Sequence, residues 1–184
     1  MKDLVAHLLV RERSPAAVGI AVPPLAGLTE RAYRKMRRRD FSDLVEMLRS
    51  GPPRLSPYSL PGADALLNGA ELFVHHEDVR RAQPGWSPRE LSDEDQKALW
   101  SVVRTAGKRL TRPVPVGLTL RNTTTQSTAL LHKGSDDAGS DMVTLSGPPS
   151  ELVLYIFGRS AQSLADLDGD PAAVIRLLNT TLRV

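Results

Sequence analysis

The 184 residues are 41% hydrophobic and 24% charged, the balance of an ordinary soluble protein with one core or two small packed units. The absence of cysteine excludes disulfides, a zinc ribbon and a thiol nucleophile within the chain. A net charge of +3, from 24 Lys and Arg against 21 Asp and Glu, is too balanced to argue nucleic-acid binding by itself; with no signal peptide and no apolar run near the roughly 20 residues that span a bilayer, no membrane role is expected and the cytoplasm is the default location.

The chain opens as a helix. In "MKDLVAHLLVRER", Leu4, Val5, Leu8, Leu9 and Val10 cover most of the circumference, so other helices should surround it. Pro23 and Pro24 break the chain, and Thr29 with Glu30 marks a second helix that carries the run Arg37–Arg38–Arg39. A third follows Asp40, with Phe41, Leu44, Val45 and Leu48 at helical spacing and Gly51 ending it. Four prolines in 52–62 forbid a helix interior, while Leu55, Tyr58 and Leu60 suggest a loop packed on a surface. The next helix spans about 63–82 and is closed by "QPGW"; Ser92 then caps a helix with Leu99, Val102, Val103 and Ala106 facing inward.

After Pro113 the period changes to that of strands. Val116, Leu118 and Leu120 alternate with polar or small residues, "TQSTALL" and "DMVTLSG" are further strands, and "KGSDDAGSD" is an exposed loop. "PPSELVLYIFG" starts a helix on prolines and ends it on Gly158. In the last helix Asp170 caps, Pro171 takes the first position, and Val174, Leu177 and Leu178 should face inward. The fold class is therefore α+β: a helical unit, residues 1–85, and a small mixed unit, 86–184, meeting near Pro84–Ser92.

The 63–82 helix holds the pattern that points to chemistry. Asp64, Asn68, Glu71, His75 and Asp78 recur at intervals of four and three and share one face. Leu67, Ala70 and Val74 flank that stripe on one side, Leu72 and Val79 on the other, so the polar line should point into a bundle. A buried carboxylate and imidazole must be paired or bound to a metal. Glu71 and His75, one turn apart, can ligate one ion, and His7 on the apolar first helix is the natural third donor, with a fourth position left for water or substrate. A hydrogen-bonded core histidine is the other reading. Asp78 could hold a ligand imidazole, or pair with Arg81 or Arg11. His76 points about 100° away from His75, and His132, beside a loop, is expected to be solvated.

At these residues the chain resembles a known family. "KDLVAHL" followed by Glu71-x-x-x-His75-His76-x-Asp78 is similar to the metal-binding domain of mycothiol-dependent maleylpyruvate isomerases, which are DinB-like four-helix bundles. "LVRER", "SGPPR" and "FVHHEDVRRAQPGW" resemble a small actinobacterial metal-binding branch. "LSGPPSELVLYIFGR" and "DGDPAAVIRLL" are similar to the isomerase C-terminal domain. The resemblance implies a metal set of His7, Glu71 and His75 and a divalent cation, Zn2+ above others. It also implies Arg159 as the arginine near the active site, although a surface position just past a helix accounts for Arg159 equally well. Family members begin with a further helix followed by a Trp, whereas this chain starts inside the matching segment; either its start is assigned late or the bundle is a true truncation, and a truncated bundle would expose an apolar groove beside His7, prone to poor solubility or homodimerisation.

The implied chemistry is a metal- and thiol-dependent isomerase or S-transferase. Mycothiol would bind as thiolate and add to an electrophilic double bond, and Arg159 would hold substrate carboxylates. A non-catalytic metal-binding or partner-binding module is the first rival. The second is a nucleic-acid binder using "RKMRRRD", against which nearby acids and the lack of interleaved aromatics argue.

Overall fold

The structure is a computed structural model, and it describes residues 2–17, 23–51, 53, 63–134 and 141–182. The chain is α+β, with N-terminal helices followed by a mixed four-stranded sheet and its helices. It divides into two compact units, Met1–Ala65 and Leu66–Val184. The expected loop at 52–62 lies almost wholly outside the described residues, as do residues 135–140 of the expected exposed loop.

In the first unit α1 (Lys2–Arg13) packs against α2 (Ala26–Arg37) and α3 (Phe41–Arg49). Ala6, Leu9 and Val10 are fully buried, as is Leu44. The α2 helix starts ahead of the expected Thr29, whose hydroxyl is buried and donates to the Ala16 carbonyl. Arg13 donates from Nη2 to the Met47 and Gly51 carbonyls, closing the C-terminal end of α3 with a cation where the last carbonyls lack helical partners. Phe41 departs from expectation: it is 44% exposed, and the face it shares buries Leu44 instead.

The second unit begins within α4 (Ala63–Arg81) and continues through α5 (Asp93–Leu110), β1 (Gly117–Asn122), β2 (Thr128–His132), β3 (Met142–Gly147), α6 (Pro149–Ile156), β4 (Asp166–Gly169) and α7 (Pro171–Leu178). Ser92 caps α5 as expected, accepting from the Asp95 amide at 3.1 Å. Asp170 caps α7 through Ala172 and Ala173. The α6 N-terminus, which starts on proline, is closed from outside: Gln96 accepts from the Ser150 amide and its own amide donates to the Ser150 hydroxyl.

The strand order is β2-β1-β3-β4, with β1 and β3 parallel and the outer pairs antiparallel. Leu118, Leu120, Val143 and Leu145 line the buried face and join Val102, Val103, Leu152 and Ile156 in one core. Ala70 and Val74 belong to that same core, so α4 packs with the sheet-bearing unit. The division thus falls ahead of α4's packed part, whereas composition places a boundary after it, in Pro84–Ser92. Strand β4 escapes sequence reading because "DLDG" offers one apolar residue and forms a short edge. In α7 the inward residues are Ala173 and Leu177, while Leu178 is 59% exposed and does not face inward.

Candidate functional site on the long helix

The most deeply buried line of α4 is Ala70, Val74, Glu77 and Arg81. The polar stripe lies beside it: Asn68, Glu71, His75 and Asp78 are half-buried, and the Asp64 side chain is outside the described residues. His75 keeps 18% of its side-chain surface and Asp78 keeps 34%, so the stripe sits at a rim rather than in a dry interior. His76 is exposed, as its angular offset requires.

Asp78 is the hub. Its Oδ2 lies 3.3 Å from His75 Nδ1. Arg159 forks onto the same carboxylate, with Nε 3.1 Å from Oδ1 and Nη2 2.8 Å from Oδ2, and its Nη1 donates to the Phe157 carbonyl at 2.6 Å. Burial would push the Asp78 carboxyl up, but the hydrogen bonds from His75 and Arg159 and the arginine's charge outweigh it and bring the carboxyl down to about 2. Asp78 is therefore an ionised acceptor at neutral pH. It pairs with Arg159; Arg81, one of the two arginines that spacing had suggested, is turned to Glu77 and Glu151. Beside it a cleft of about 390 Å³ is lined by Asp78, Arg81, Ala82, Gly158, Arg159 and Gln162.

Arg81 is fully committed elsewhere. Nε donates to Glu77 at 2.9 Å, Nη1 and Nη2 donate to the two oxygens of Glu151 at 3.0 and 2.5 Å, and Nη1 also reaches the Gln162 carbonyl. Its guanidinium stacks 4.6 Å from the Trp86 ring. Glu77 also accepts from Arg80 at 2.9 Å, and Arg89 Nε stands 3.0 Å from it as an ion pair without hydrogen-bond alignment. Burial raises the Glu77 carboxyl, yet the arginines hold it below the usual carboxylate range. Sequence reading missed this network. Its visible signal was the Glu77–Arg81 spacing of four, on the same line as Ala70 and Val74.

His7 lies in the first unit, half-buried, with Nδ1 2.8 Å from the Tyr33 hydroxyl and the two rings stacked at 5.8 Å. Glu71 and His75 lie in the second. The expected triad therefore draws on both units and is a property of neither alone. Among the described residues, no three His, Asp or Glu side chains gather in a group that could hold a metal ion. Within the second unit the fit to a cation is partial: Glu71 and His75 supply two donors one turn apart, and Asp78 fixes the imidazole as an outer partner does in metal centres.

His132 is not solvated as expected. It is half-buried at the end of β2, with Nε2 2.8 Å from the Thr111 hydroxyl. That hydroxyl donates its one proton to the Gly107 carbonyl at 2.7 Å, so His132 must donate from Nε2. No family model, curated protein or solved structure matches the chain.

Proposed function

We propose that the chain binds a divalent metal through Glu71 and His75, with His7 as the third ligand, in the manner of a DinB-like bundle. The observation that carries this reading is the 3.3 Å approach of His75 Nδ1 to the Asp78 carboxylate. An ionised Asp78, locked by Arg159, sets the imidazole tautomer and makes Nε2 the nitrogen with the lone pair. For His7 to join, its Nδ1–H must donate to the Tyr33 oxygen, which puts the ring's lone pair on Nε2. When bound, zinc would supply a Lewis acid that turns a coordinated thiol into thiolate near neutral pH. With no cysteine in the chain, that thiol comes from outside, as mycothiol does in the family the sequence resembles. The narrower proposal is a thiol-dependent isomerase or S-transferase acting on an electrophilic substrate.

Zinc content of the dialysed full chain tests the site. Wild type should retain about one zinc, Glu71→Ala and His75→Ala should lose it, and Asp78→Ala should bind about 10- to 100-fold more weakly with all ligands intact. Equal zinc in wild type and both ligand variants would end the metal reading.

One observation favours a second reading, a metal-binding module without catalysis. Arg159, expected to hold a substrate carboxylate, is instead spent on Asp78 and the Phe157 carbonyl. On this reading it braces the site. Zinc-loaded protein given a thiol and an unsaturated carboxylate would then show no turnover, and Arg159→Ala would weaken zinc as Asp78→Ala does.

A further inference from the structure

Helix α2 carries a feature that the metal reading does not use. Arg31, Arg34, Lys35 and Arg38 recur at intervals of three and four, so they share one face. All four are exposed, and Arg38, the C-cap, keeps helical backbone angles of −75° and −16°. Among the described residues none of the four has an ion pair; Arg37, on another face, pairs with Asp3 at 2.9 Å. Glu30, the acid on α2, stands one turn before Arg34 at the edge of that face, so one acid opposes four cations there. Like charges at these spacings repel and weaken the helix that bears them. Nothing in the fold of the first unit requires that repulsion.

The charge is also unevenly shared. Residues 1–65 hold eleven Lys and Arg against seven Asp and Glu, an excess of four. Residues 66–184 hold thirteen against fourteen, so the positive excess of the chain belongs to the first unit.

We infer that the outer face of α2 docks on the phosphate backbone of duplex nucleic acid without reading its sequence. Four cations fall within about 10 Å of helix rise, a length over which duplex DNA offers about six phosphates. Three of the four are arginine, whose fork fits phosphate oxygens. The inner face of α2 is committed to α1, with Thr29 buried and Tyr33 stacked on His7. The outer face shows one large apolar side chain, Leu28, at 49% exposure. A helix lying in a membrane surface needs an apolar face free to enter the lipid, and a single-strand site needs aromatic platforms; α2 presents neither outward.

The test is fluorescence anisotropy of a fluorescein-labelled duplex of about 20 base pairs, in two unrelated sequences, titrated with the full chain from 50 to 200 mM salt. Four phosphate contacts give a log–log slope of about −3.6, roughly a hundredfold weakening across that range, equal for both sequences. Arg34→Gln with Arg38→Gln should halve the slope to about −1.8, whereas Arg34→Lys with Arg38→Lys should preserve it. Arg104→Gln with Lys108→Gln, exposed on α5, removes the same charge and should leave the slope unchanged. Absence of duplex binding at 50 mM salt overturns the inference, as does an equal loss in the α5 pair. Binding confined to anionic phospholipid vesicles overturns it too.

Discussion

Gly158 and Gly85 both hold positive φ, +81° and +72°, yet a methyl group meets different surroundings at each. At Gly85 the added carbon has nothing within 4 Å, so Gly85→Ala should cost the left-handed strain alone, roughly 1–2 kcal/mol. At Gly158 it would stand 2.3 Å from the Leu182 carbonyl oxygen, which is backbone and cannot rotate aside. Gly158→Ala should therefore cost at least about 1–3 kcal/mol more in urea denaturation. Equal costs at the two positions would show that the C-terminal strand of chain can shift. His132 makes a pH prediction at the same scale. Burial lowers its pKa from 6.5, the Lys108 charge acts in the same direction, and the Thr111 contact opposes them. The folded state thus resists a proton that the unfolded chain accepts. Its contribution is fully present above about 6.5 and declines as pH falls below that value. Thermal midpoints measured between pH 7.5 and 5 should fall less in His132→Gln, whose amide can still donate to Thr111.

At the scale of elements, helices were legible wherever an apolar period or a cap was strong. Ser92 and Asp170 cap as their spacing indicates, and the alternation of Leu118 and Leu120 is that of a half-buried strand. Reading failed where charge and depth coincide. Glu77 and Arg81 look like a surface pair in the sequence, yet their side chains are 1% and 3% exposed, because Arg81 bridges Glu77 to a second carboxylate, Glu151, that stands seventy positions away. No local pattern encodes such a pairing. The network ties α4 to α6 and to the Leu164 amide, which donates to Glu151 at 2.8 Å. Removing one member leaves a buried charge uncompensated, so Arg81→Ala should cost roughly 3–5 kcal/mol in urea denaturation. Replacing Glu77, Arg81 and Glu151 together by leucine, methionine and leucine should cost far less. A small loss in Arg81→Ala would mean that water reaches the carboxylates.

At the scale of the whole molecule, the α+β class followed from the change of period after Pro113, whereas the division between units did not. Composition marks the Pro–Gly segment after α4, but packing marks the residues that fill the core, and α4 contributes Ala70 and Val74 to it. The candidate site was legible only in part for a related reason. Glu71, His75 and Asp78 share a helix face that spacing reveals, while the arginine that fixes Asp78 comes from beyond α6. No helix among the described residues is long and apolar enough to cross a membrane. Every member of the large core cluster lies between Ala70 and Leu182, so residues 66–184 expressed alone should melt cooperatively by circular dichroism. If His7 is a ligand, that fragment should also bind zinc much more weakly than the full chain. A fragment that melts without cooperativity would show that its core needs the first 65 residues.

The stacking of Trp86 on Arg81 has one more consequence. The chain has two tryptophans, and the other, Trp100, packs against the large core on α5. A Trp100→Phe protein therefore glows from a single indole seated on the salt-bridge cluster. Its emission colour becomes a gauge of whether the clamp between α4 and α6 is shut.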